Sequence, residues 1–368
     1  RETCDMVHSI EDGKIRRSNL EAVVKSIRLA AVGGCMALGL IMSGCGAGSG
    51  SQGQGSSAAG EKKSLKVAVL AASAQNGYNQ AVFQGVKDEA KKLGLTVDAQ
   101  ILDGQFSANT QLSQLQNATT SGGYDGVIVV PNDGPVLAAA FPLAQQIPVV
   151  TVLNPIGPDI EKMEPQVDGV VSTVAVAPST AATKQAEQVV KYCEKIDPCK
   201  VGVVVGLLNS PLDVARSNAY KDVLSKHSNI KIVGTVEGSY DRDKSLSAVT
   251  NLLQGNKDIN AILSNADQQT LGAQIALENA GISPSKVFLT GAGGTKDAVK
   301  AVRDGVWTSD YLNFPVSMGA AAMEQLSNAI NGKDVKAVVD ADTLGPLAPY
   351  AYKEDLDKAP DFTGEWNG

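Results

Sequence analysis

The sequence predicts an α/β protein that consists of two doubly wound parallel-sheet lobes. From residue 65 onward, short apolar runs alternate with amphipathic helical stretches, and a second, similar series begins after residue 176. The apolar runs are nearly continuous, which is typical of strands that are covered on both faces. The chain has 368 residues, which is enough for two domains of about 100–200 residues each.

The first strand–loop–helix unit lies at residues 65–93. An apolar run at 65–72 is followed by a polar loop at 73–79 and an amphipathic helix at 80–93. Parallel sheets bind ligands at the carboxyl ends of their strands, where this loop sits. We therefore expect its amides and its tyrosine to contact a ligand; they are Gln75, Asn76, Tyr78 and Asn79. For the tyrosine, a partly buried loop anchor is the alternative.

The remaining elements follow from the same two patterns, with the lobes joined near Ala177. In the first lobe, strands are predicted at 95–102, 126–131, 148–153 and 170–176, and helices at 109–120 and 135–145. In the second lobe, strands are predicted at 200–207, 230–237, 261–265, 287–291 and 307–312. Its helices are predicted at 179–196, 214–226, 244–254, 271–280 and 295–304. A further helix, 316–331, is assigned to the first lobe.

Residues 1–45 have the features of a secretory signal peptide. Basic residues precede an apolar run at 29–42 that is too short to span a membrane, and small residues follow it. The sequence Met42-Ser43-Gly44-Cys45 resembles a bacterial lipobox, which implies cleavage before Cys45 and a lipid on its sulfur. An ordinary signal peptide with a chance cysteine is the alternative. Residues 46–64 form a flexible Gly/Ser linker, which would let a folded domain move near a membrane surface.

Composition argues against several function classes. The net charge of −7 does not suit nucleic acid, because phosphate binding needs a basic face. Only 2 histidines are present, so a histidine-based catalytic or zinc site has little to draw on. The glycine-rich stretch 291–295 lacks the Lys-Ser/Thr of a phosphate loop. No acid–base or nucleophile constellation is visible, so we predict neither an enzyme nor a cofactor.

Two cysteines are placed for a local disulfide. Cys193 and Cys199 flank the turn Glu-Lys-Ile-Asp-Pro between a predicted helix and a predicted strand. In an exported protein we expect them to be paired. Two free thiols are the alternative, and a metal site is disfavoured because no histidine is near.

Several short motifs carry a family resemblance over residues 65–345. They are QGVKDEA at 84–90, IPVVT at 147–151, LGA at 271–273 and DGV at 304–306. In order and spacing the chain resembles the type I periplasmic-binding-protein family, nearest to its ribose-binding branch. The resemblance implies a three-crossing hinge near 176–178, 313–315 and 340–345, and closure of the cleft on a ligand. It divides the chain into a first lobe, 65–176 plus 314–339, and a second lobe, 177–313 plus 340–368.

The resemblance also implies a set of ligand contacts. In the first loop, Asn76 matches a hydrogen-bonding amide and Tyr78 a stacking ring. The other matched positions are Arg216, for which Val214 is the alternative, and Tyr240, Asn265, Asp267 and Asn313.

Two positions depart from the family pattern. Leu153-Asn154 stands where Asp-Arg is common, and Gly293 stands where an aspartate is common. The pocket that is left is rich in amides, including Asn154, Asn209 and Gln268. A neutral polyol, a modified sugar or another small polar metabolite therefore suits it better than an ordinary pentose or hexose.

The predicted protein is an extracytoplasmic substrate-binding lipoprotein of an ABC importer. It would be held on the outer face of the cell membrane by the lipid on Cys45, and it would pass a small neutral polar ligand to the permease. A sensory receptor of the same fold is the alternative. A transcription regulator of this fold is disfavoured, because it would need a basic helix-turn-helix at the N-terminus.

Overall fold

The computed structural model describes residues 61–121, 123–141 and 147–368. The predicted signal peptide, Cys45 and most of the linker lie outside the described residues. Within these ranges, no helix is both long and apolar enough to cross a membrane.

Twelve strands are described. They are β1 (Ser64–Ala71), β2 (Thr96–Asp103), β3 (Gly126–Val129), β4 (Val149–Val152), β5 (Val170–Ala175), β6 (Cys199–Val205), β7 (Ile230–Glu237), β8 (Ala261–Ser264), β9 (Phe288–Ala292), β10 (Ser309–Tyr311), β11 (Val338–Asp340) and β12 (Tyr350–Tyr352).

Ten α-helices are described with them. They are α1 (Gly77–Lys92), α2 (Ala108–Thr120), α3 (Gly134–Ala138), α4 (Pro178–Cys193), α5 (Pro211–Leu224), α6 (Arg242–Gln254), α7 (Asp267–Asn279), α8 (Lys296–Arg303), α9 (Pro315–Ile330) and α10 (Lys353–Asp357).

The strands form two six-stranded sheets, one in each lobe. The first has the order β11-β5-β4-β3-β1-β2, and the second β12-β10-β9-β8-β6-β7. The chain passes between the sheets after β5, after β10 and after β11. The two parallel-sheet lobes and the three-crossing connection predicted from the sequence are confirmed. Each sheet has buried apolar clusters on both faces, which explains the continuous apolar character of the strands.

Helix α9 packs closely against α1 in the first lobe. A Cβ on Gly85 of α1 would lie 1.9 Å from the Val316 carbonyl oxygen, and one on Gly319 of α9 would lie 2.0 Å from the Val82 carbonyl oxygen. Glycine at these two positions lets the helix backbones touch. This packing places the beginning of α9, and the crossing before it, directly beside the loop that follows β1.

Helix α3 and three short elements differ most from the sequence prediction. Helix α3 ends at Ala138, and residues 139–141 form a turn although a helix was predicted through 145. Strands β11 and β12 and helix α10 were not predicted. Each of the three has only three to five residues, too few to show a period. Strand β12 pairs antiparallel with β10, so the second sheet is mixed.

Candidate functional site

A cavity lies between the lobes, where the carboxyl ends of strands from both sheets face each other. It encloses about 80 Å³, which is room for roughly five to eight water molecules and hence for one small ligand. Eight of the ten predicted ligand contacts line it: Asn76, Tyr78, Asn79, Asn154, Arg216, Tyr240, Asn265 and Asn313. Their role in binding stays a prediction.

The predicted position of Asp267 needs correction. Its side chain is buried and turned away from the cavity, and its Oδ2 accepts a hydrogen bond of 2.8 Å from the Thr295 backbone N–H. A Cβ on Gly293 would lie 2.5 Å from this same Oδ2. The carboxylate therefore fills the space that a side chain at 293 would need. The glycine at 293 and the inward-turned side chain of Asp267 therefore depend on each other.

Asp267 meets a second buried carboxyl, that of Asp310. A Cβ on Gly291 would lie 2.6 Å from Asp267 Oδ1 and 3.0 Å from Asp310 Oδ1. Burial first, and then the neighbouring Asp267 carboxyl, raise the pKa of Asp310 well above its usual range. One proton shared by the two carboxyls accounts for this arrangement. The two carboxyls accept hydrogen bonds from backbone N–H groups of the loop after β9 and do not line the ligand cavity.

Gln75 also lies outside the cavity. It is exposed and borders a separate hollow on the outer side of the cleft. The reason is local, because the Asn76 backbone N–H bonds to the Ser73 carbonyl oxygen at 3.2 Å and closes a turn that directs the side chain of Gln75 outward. Asn76 itself is the N-cap of α1 and accepts from the backbone N–H groups of Tyr78 and Asn79.

Several predicted amides hold the loops in place. Asn79 Oδ1 accepts from the Ala72 backbone N–H at 3.0 Å, and its Nδ2 donates to Asn76 Oδ1 at 3.2 Å. Asn265 Nδ2 donates to Asp213 Oδ1 at 2.6 Å. These amides have little hydrogen-bonding capacity left for a ligand, so their main contribution is to shape the cavity.

Asn154 is different, because it offers an unused acceptor. Its Nδ2 donates to the Pro131 carbonyl oxygen at 3.0 Å. Its Oδ1 is buried and has no hydrogen-bond partner among the described residues. The residue is only 4% exposed and lines the cavity. A buried acceptor without a partner costs about 1–3 kcal/mol, so a ligand hydroxyl or N–H placed here would gain that much.

A buried carboxylate that the sequence did not single out organises the second lobe's side of the cavity. Asp213 accepts from Tyr240 Oη at 2.6 Å and from the Leu207 backbone N–H at 2.7 Å. Arg216 Nη1 lies 3.7 Å from Asp213 Oδ1. Among the described residues that line the cavity, Arg216 is the one that carries a charge. Because Asp213 balances it, the cavity suits a neutral ligand.

Two aromatic rings that line the cavity stack on each other. Phe106 of the first lobe and Tyr240 of the second lie 5.9 Å apart with their planes at 18°. Phe106 was not predicted, although an internal repeat in the sequence points to it. DGQFS follows the second strand of the first lobe and EGSYD the second strand of the second lobe. A comparison of the two lobes would have paired these rings.

Both loops of this repeat share an unusual backbone. Gln105 and Phe106 have φ of 54° and 51°, and Ser239 and Tyr240 have 53° and 54°. Leu153, which also lines the cavity, has φ of 72°. These are the described non-glycine residues in the left-handed region. Such strained conformations concentrate at functional sites, which marks this edge of both sheets as the site.

The fourth aromatic residue, Trp366, was not predicted and carries no local signal. It lies in an irregular segment after α10, yet it is 5% exposed and lines the cavity. Its ring meets that of Tyr78 edge-on, with centroids 5.6 Å apart. Tyr78 also donates from its hydroxyl to Met318 Sδ at 3.1 Å, so it both anchors its loop and faces the cavity.

The disulfide region is remote from the cavity. Cys193, at the end of α4, and Cys199, at the start of β6, are bonded, with Cα atoms 5.7 Å apart. The start of β6 is the end of the strand opposite the cavity, and both cysteines are fully buried.

Fold and cavity together define a protein that holds a small molecule between two α/β lobes. A family model for the periplasmic binding protein domain matches residues 67–334. The chain belongs to this family, and the family predicted from the sequence is confirmed.

Relatives and solved structures agree with this assignment. The ribose import binding protein RbsB of Bacillus subtilis is 25% identical over 77% of this chain and 88% of its own length. The D-allose-binding periplasmic protein of Escherichia coli is 29% identical over 80% of this chain and 88% of its own. The structure of a Caulobacter myo-inositol binding protein bound to myo-inositol superposes with a TM-score of 0.70 at 24% identity, covering 82% of this chain and 97% of that one. The structural match shows the shared fold.

Proposed function

We propose that this protein is the extracytoplasmic substrate-binding component of an ABC importer, which captures a sugar or a related small polar solute and delivers it to the permease. The cavity carries the proposal, because residues from facing strand ends of both lobes enclose it. A ligand that touches both lobes stabilises the closed form, and this closed form is what a permease can distinguish from the empty one. The relatives' names, for ribose and D-allose, favour the same activity.

The ligand is neutral and carries both an apolar face and hydroxyl groups. Four aromatic side chains, Tyr78, Phe106, Tyr240 and Trp366, line the cavity and suit the C–H face of a ring. Asn154 Oδ1 offers an acceptor for a hydroxyl group. The Asp213 carboxylate makes its hydrogen bonds within the protein, and none of the described residues that line the cavity is acidic. A ligand hydroxyl would therefore donate to neutral acceptors rather than to a carboxylate. A polyol or a modified sugar fits this description best.

The role is binding and delivery rather than catalysis. Capture, hinge closure, docking of the closed form on the permease and release complete the cycle. For delivery to the membrane we propose the arrangement predicted from the sequence, with a signal peptide at 1–45, a lipid on Cys45 and a flexible linker at 46–64. The same proposal places the protein on the outer face of the cell membrane and divides it into lobes 65–176 plus 314–339 and 177–313 plus 340–368.

A thermal-shift screen of the purified protein tests the function. Sugars, polyols, nucleosides and amino acids are compared, and a ligand at 100 times its Kd should stabilise the fold by about 2.7 kcal/mol, a shift of a few degrees in Tm. The response to a sugar or polyol should be clearly reduced in Asn154→Ala and kept in Asn251→Ala, an exposed asparagine on α6. A response confined to amino acids or nucleosides would reject the sugar assignment.

The lipid anchor needs its own experiment. Cells that express the protein are labelled with a radioactive fatty acid, and we expect label in the wild type and none in Cys45→Ser. Equal labelling of the two proteins would reject the anchor and leave the ordinary signal peptide.

A further inference from the structure

The segment 363–368 is attached to the second lobe at the loop after β9. Trp366 Nε1 donates to the Gly293 carbonyl oxygen at 2.7 Å, and the Trp366 carbonyl oxygen accepts from the Lys296 backbone N–H at 2.9 Å. Trp366 also forms a β-bridge with Thr295. A Cβ on Gly364, whose φ is +89°, would lie 2.7 Å from the Gly294 carbonyl oxygen, so the segment runs directly on this loop.

The same segment is attached to the first lobe. The Glu365 carboxylate accepts from the backbone N–H groups of Val316 and Ser317, at 2.9 and 3.1 Å, at the beginning of α9. The Trp366 ring meets Tyr78. A Cβ on Gly77, the first residue of α1, would lie 2.7 Å from the Asn367 carbonyl oxygen. The segment therefore bridges the lobes at the place where they must separate for the cleft to open.

We propose that Trp366 is a specificity-determining residue, which forms the end wall of the ligand cavity and limits the ligand to the size of a single ring. This inference rests on the proposed function, because it assigns Trp366 a direct contact with the solute that the cleft captures. The segment 363–368 belongs to neither sheet. Its indole closes the end of the cavity when the segment is attached to both lobes.

A second hollow lies on the far side of the Trp366 ring from the ligand cavity. It opens on the outer side of the cleft, and it shares Asn76, Tyr240 and Gln268 with the ligand cavity. Gly368 borders the hollow, whereas Trp366 borders the cavity. The segment thus separates the two spaces. Without the indole they would join, and a ligand could extend toward the exposed polar residues Gln75 and Asp241.

The ligand-dependent test compares Trp366→Ala with Trp366→Phe by isothermal titration. The probes are D-ribose, D-allose and myo-inositol, each with a methyl-substituted or disaccharide counterpart. For the probe that binds the wild type, we expect Trp366→Ala to raise the Kd by roughly two- to twelvefold, since an aromatic contact is worth about 0.5–1.5 kcal/mol. Trp366→Phe should restore most of the affinity. The larger counterpart should be favoured relative to the small probe in Trp366→Ala. An unchanged Kd and an unchanged preference would overturn the proposal.

A ligand-free measurement separates this inference from the proposed function. The sequence has two tryptophans, so Trp307→Phe leaves Trp366 as the sole tryptophan, whose fluorescence can be excited selectively over that of the tyrosines. We expect acrylamide to quench it weakly, because it is buried. Gly77→Ala in this background should expose it, since the three atoms nearest to the added Cβ all belong to Asn367 and Trp366. Gly255→Ala is the matched control, with no atom within 4 Å of its Cβ.

The two measurements distinguish a failure of the proposed function from a failure of the inference about Trp366. If the thermal-shift screen finds no sugar or polyol that stabilises the wild type, the proposed function fails, and the quenching result then decides alone whether the segment is seated as described. A tryptophan as accessible as the free amino acid, or equal quenching in Gly77→Ala and Gly255→Ala, would overturn the inference even if a sugar binds. Weak quenching that rises in Gly77→Ala alone would support it.

Discussion

Asp213→Asn should destabilise the second lobe and weaken ligand binding together. The carboxylate is fully buried and accepts hydrogen bonds from the Tyr240 hydroxyl, the Asn265 side-chain amide and the Leu207 backbone N–H. An asparagine keeps one acceptor oxygen but puts an NH₂ donor where the second carboxylate oxygen was. That donor would lie against groups that are themselves hydrogen-bond donors. It also leaves the Arg216 guanidinium without its counter-charge.

The magnitude follows from these contacts. One hydrogen bond to a charged group contributes about 1.5–3 kcal/mol, and breaking a buried ion pair by removing one partner costs about 3–5 kcal/mol. Because the two terms overlap at the same carboxylate, we expect a total loss of about 3–5 kcal/mol. That is a large part of the roughly 5–15 kcal/mol that stabilises a typical folded domain.

Urea unfolding of the ligand-free protein, followed by circular dichroism, measures this loss. Asp222→Asn, an exposed aspartate on the same helix α5, is the control and should stay within about 0.5 kcal/mol of the wild type. Ligand affinity should also fall in Asp213→Asn, because Tyr240 and Asn265 lose their common partner. A variant within about 1 kcal/mol of the wild type and with unchanged affinity would refute the idea that Asp213 organises the site.

Three further predictions concern other parts of the fold. Burial raises the pKa of Asp310 above its usual 3.8, so the folded state holds the proton to higher pH than the unfolded state. The protonated Asp310 carboxyl therefore contributes stability that is fully present below pH 3.8. This contribution is lost as the pH rises through the pKa of the carboxyl in the folded state. Asp310→Asn, which mimics the protonated form, should flatten this fall in Tm, and an unchanged pH slope would contradict the shared proton. Replacing Cys193 and Cys199 by alanine should lower stability by about 2 kcal/mol from loop closure alone, with ligand affinity unchanged; a calorimetric scan with and without reductant checks this. Phe106→Ala removes the ring that stacks on Tyr240, so it should weaken the closed form by about 0.5–1.5 kcal/mol and raise the ligand dissociation rate in stopped-flow measurements, whereas an unchanged rate would show that the pair does not hold the cleft closed.

Local periodicity was sufficient to predict the framework. Helix α6 was predicted at 244–254 and spans Arg242–Gln254, and strand β7 was predicted at 230–237 and spans Ile230–Glu237. An apolar run or an amphipathic stretch records how a segment meets the core, and that record does not depend on distant residues. The alternation of such segments then determined the α/β class and the number of lobes.

Local chemistry also predicted part of the cavity lining. The polar loop after β1 was predicted from its position alone, and Asn76, Tyr78 and Asn79 line the cavity. The rule that ligands bind at carboxyl ends of strands needs only the strand assignment. The same rule could not separate Gln75 from its neighbours, because a single turn decides which side chain faces inward.

The tertiary structure alone decided which polar groups are left for a ligand. Asp267 and Gly293 are far apart in sequence, yet the missing Cβ of one provides the space for the carboxylate of the other. Asp213 and Trp366 belong to the site through contacts with residues from distant parts of the chain. A sequence pattern shows whether a segment is buried, but hydrogen-bond partners are chosen by residues that only folding brings together. The sequence therefore determined the two lobes and the carboxyl-terminal edges of the sheets at which the cavity lies. The packing of the lobes determined which chemical groups face that cavity.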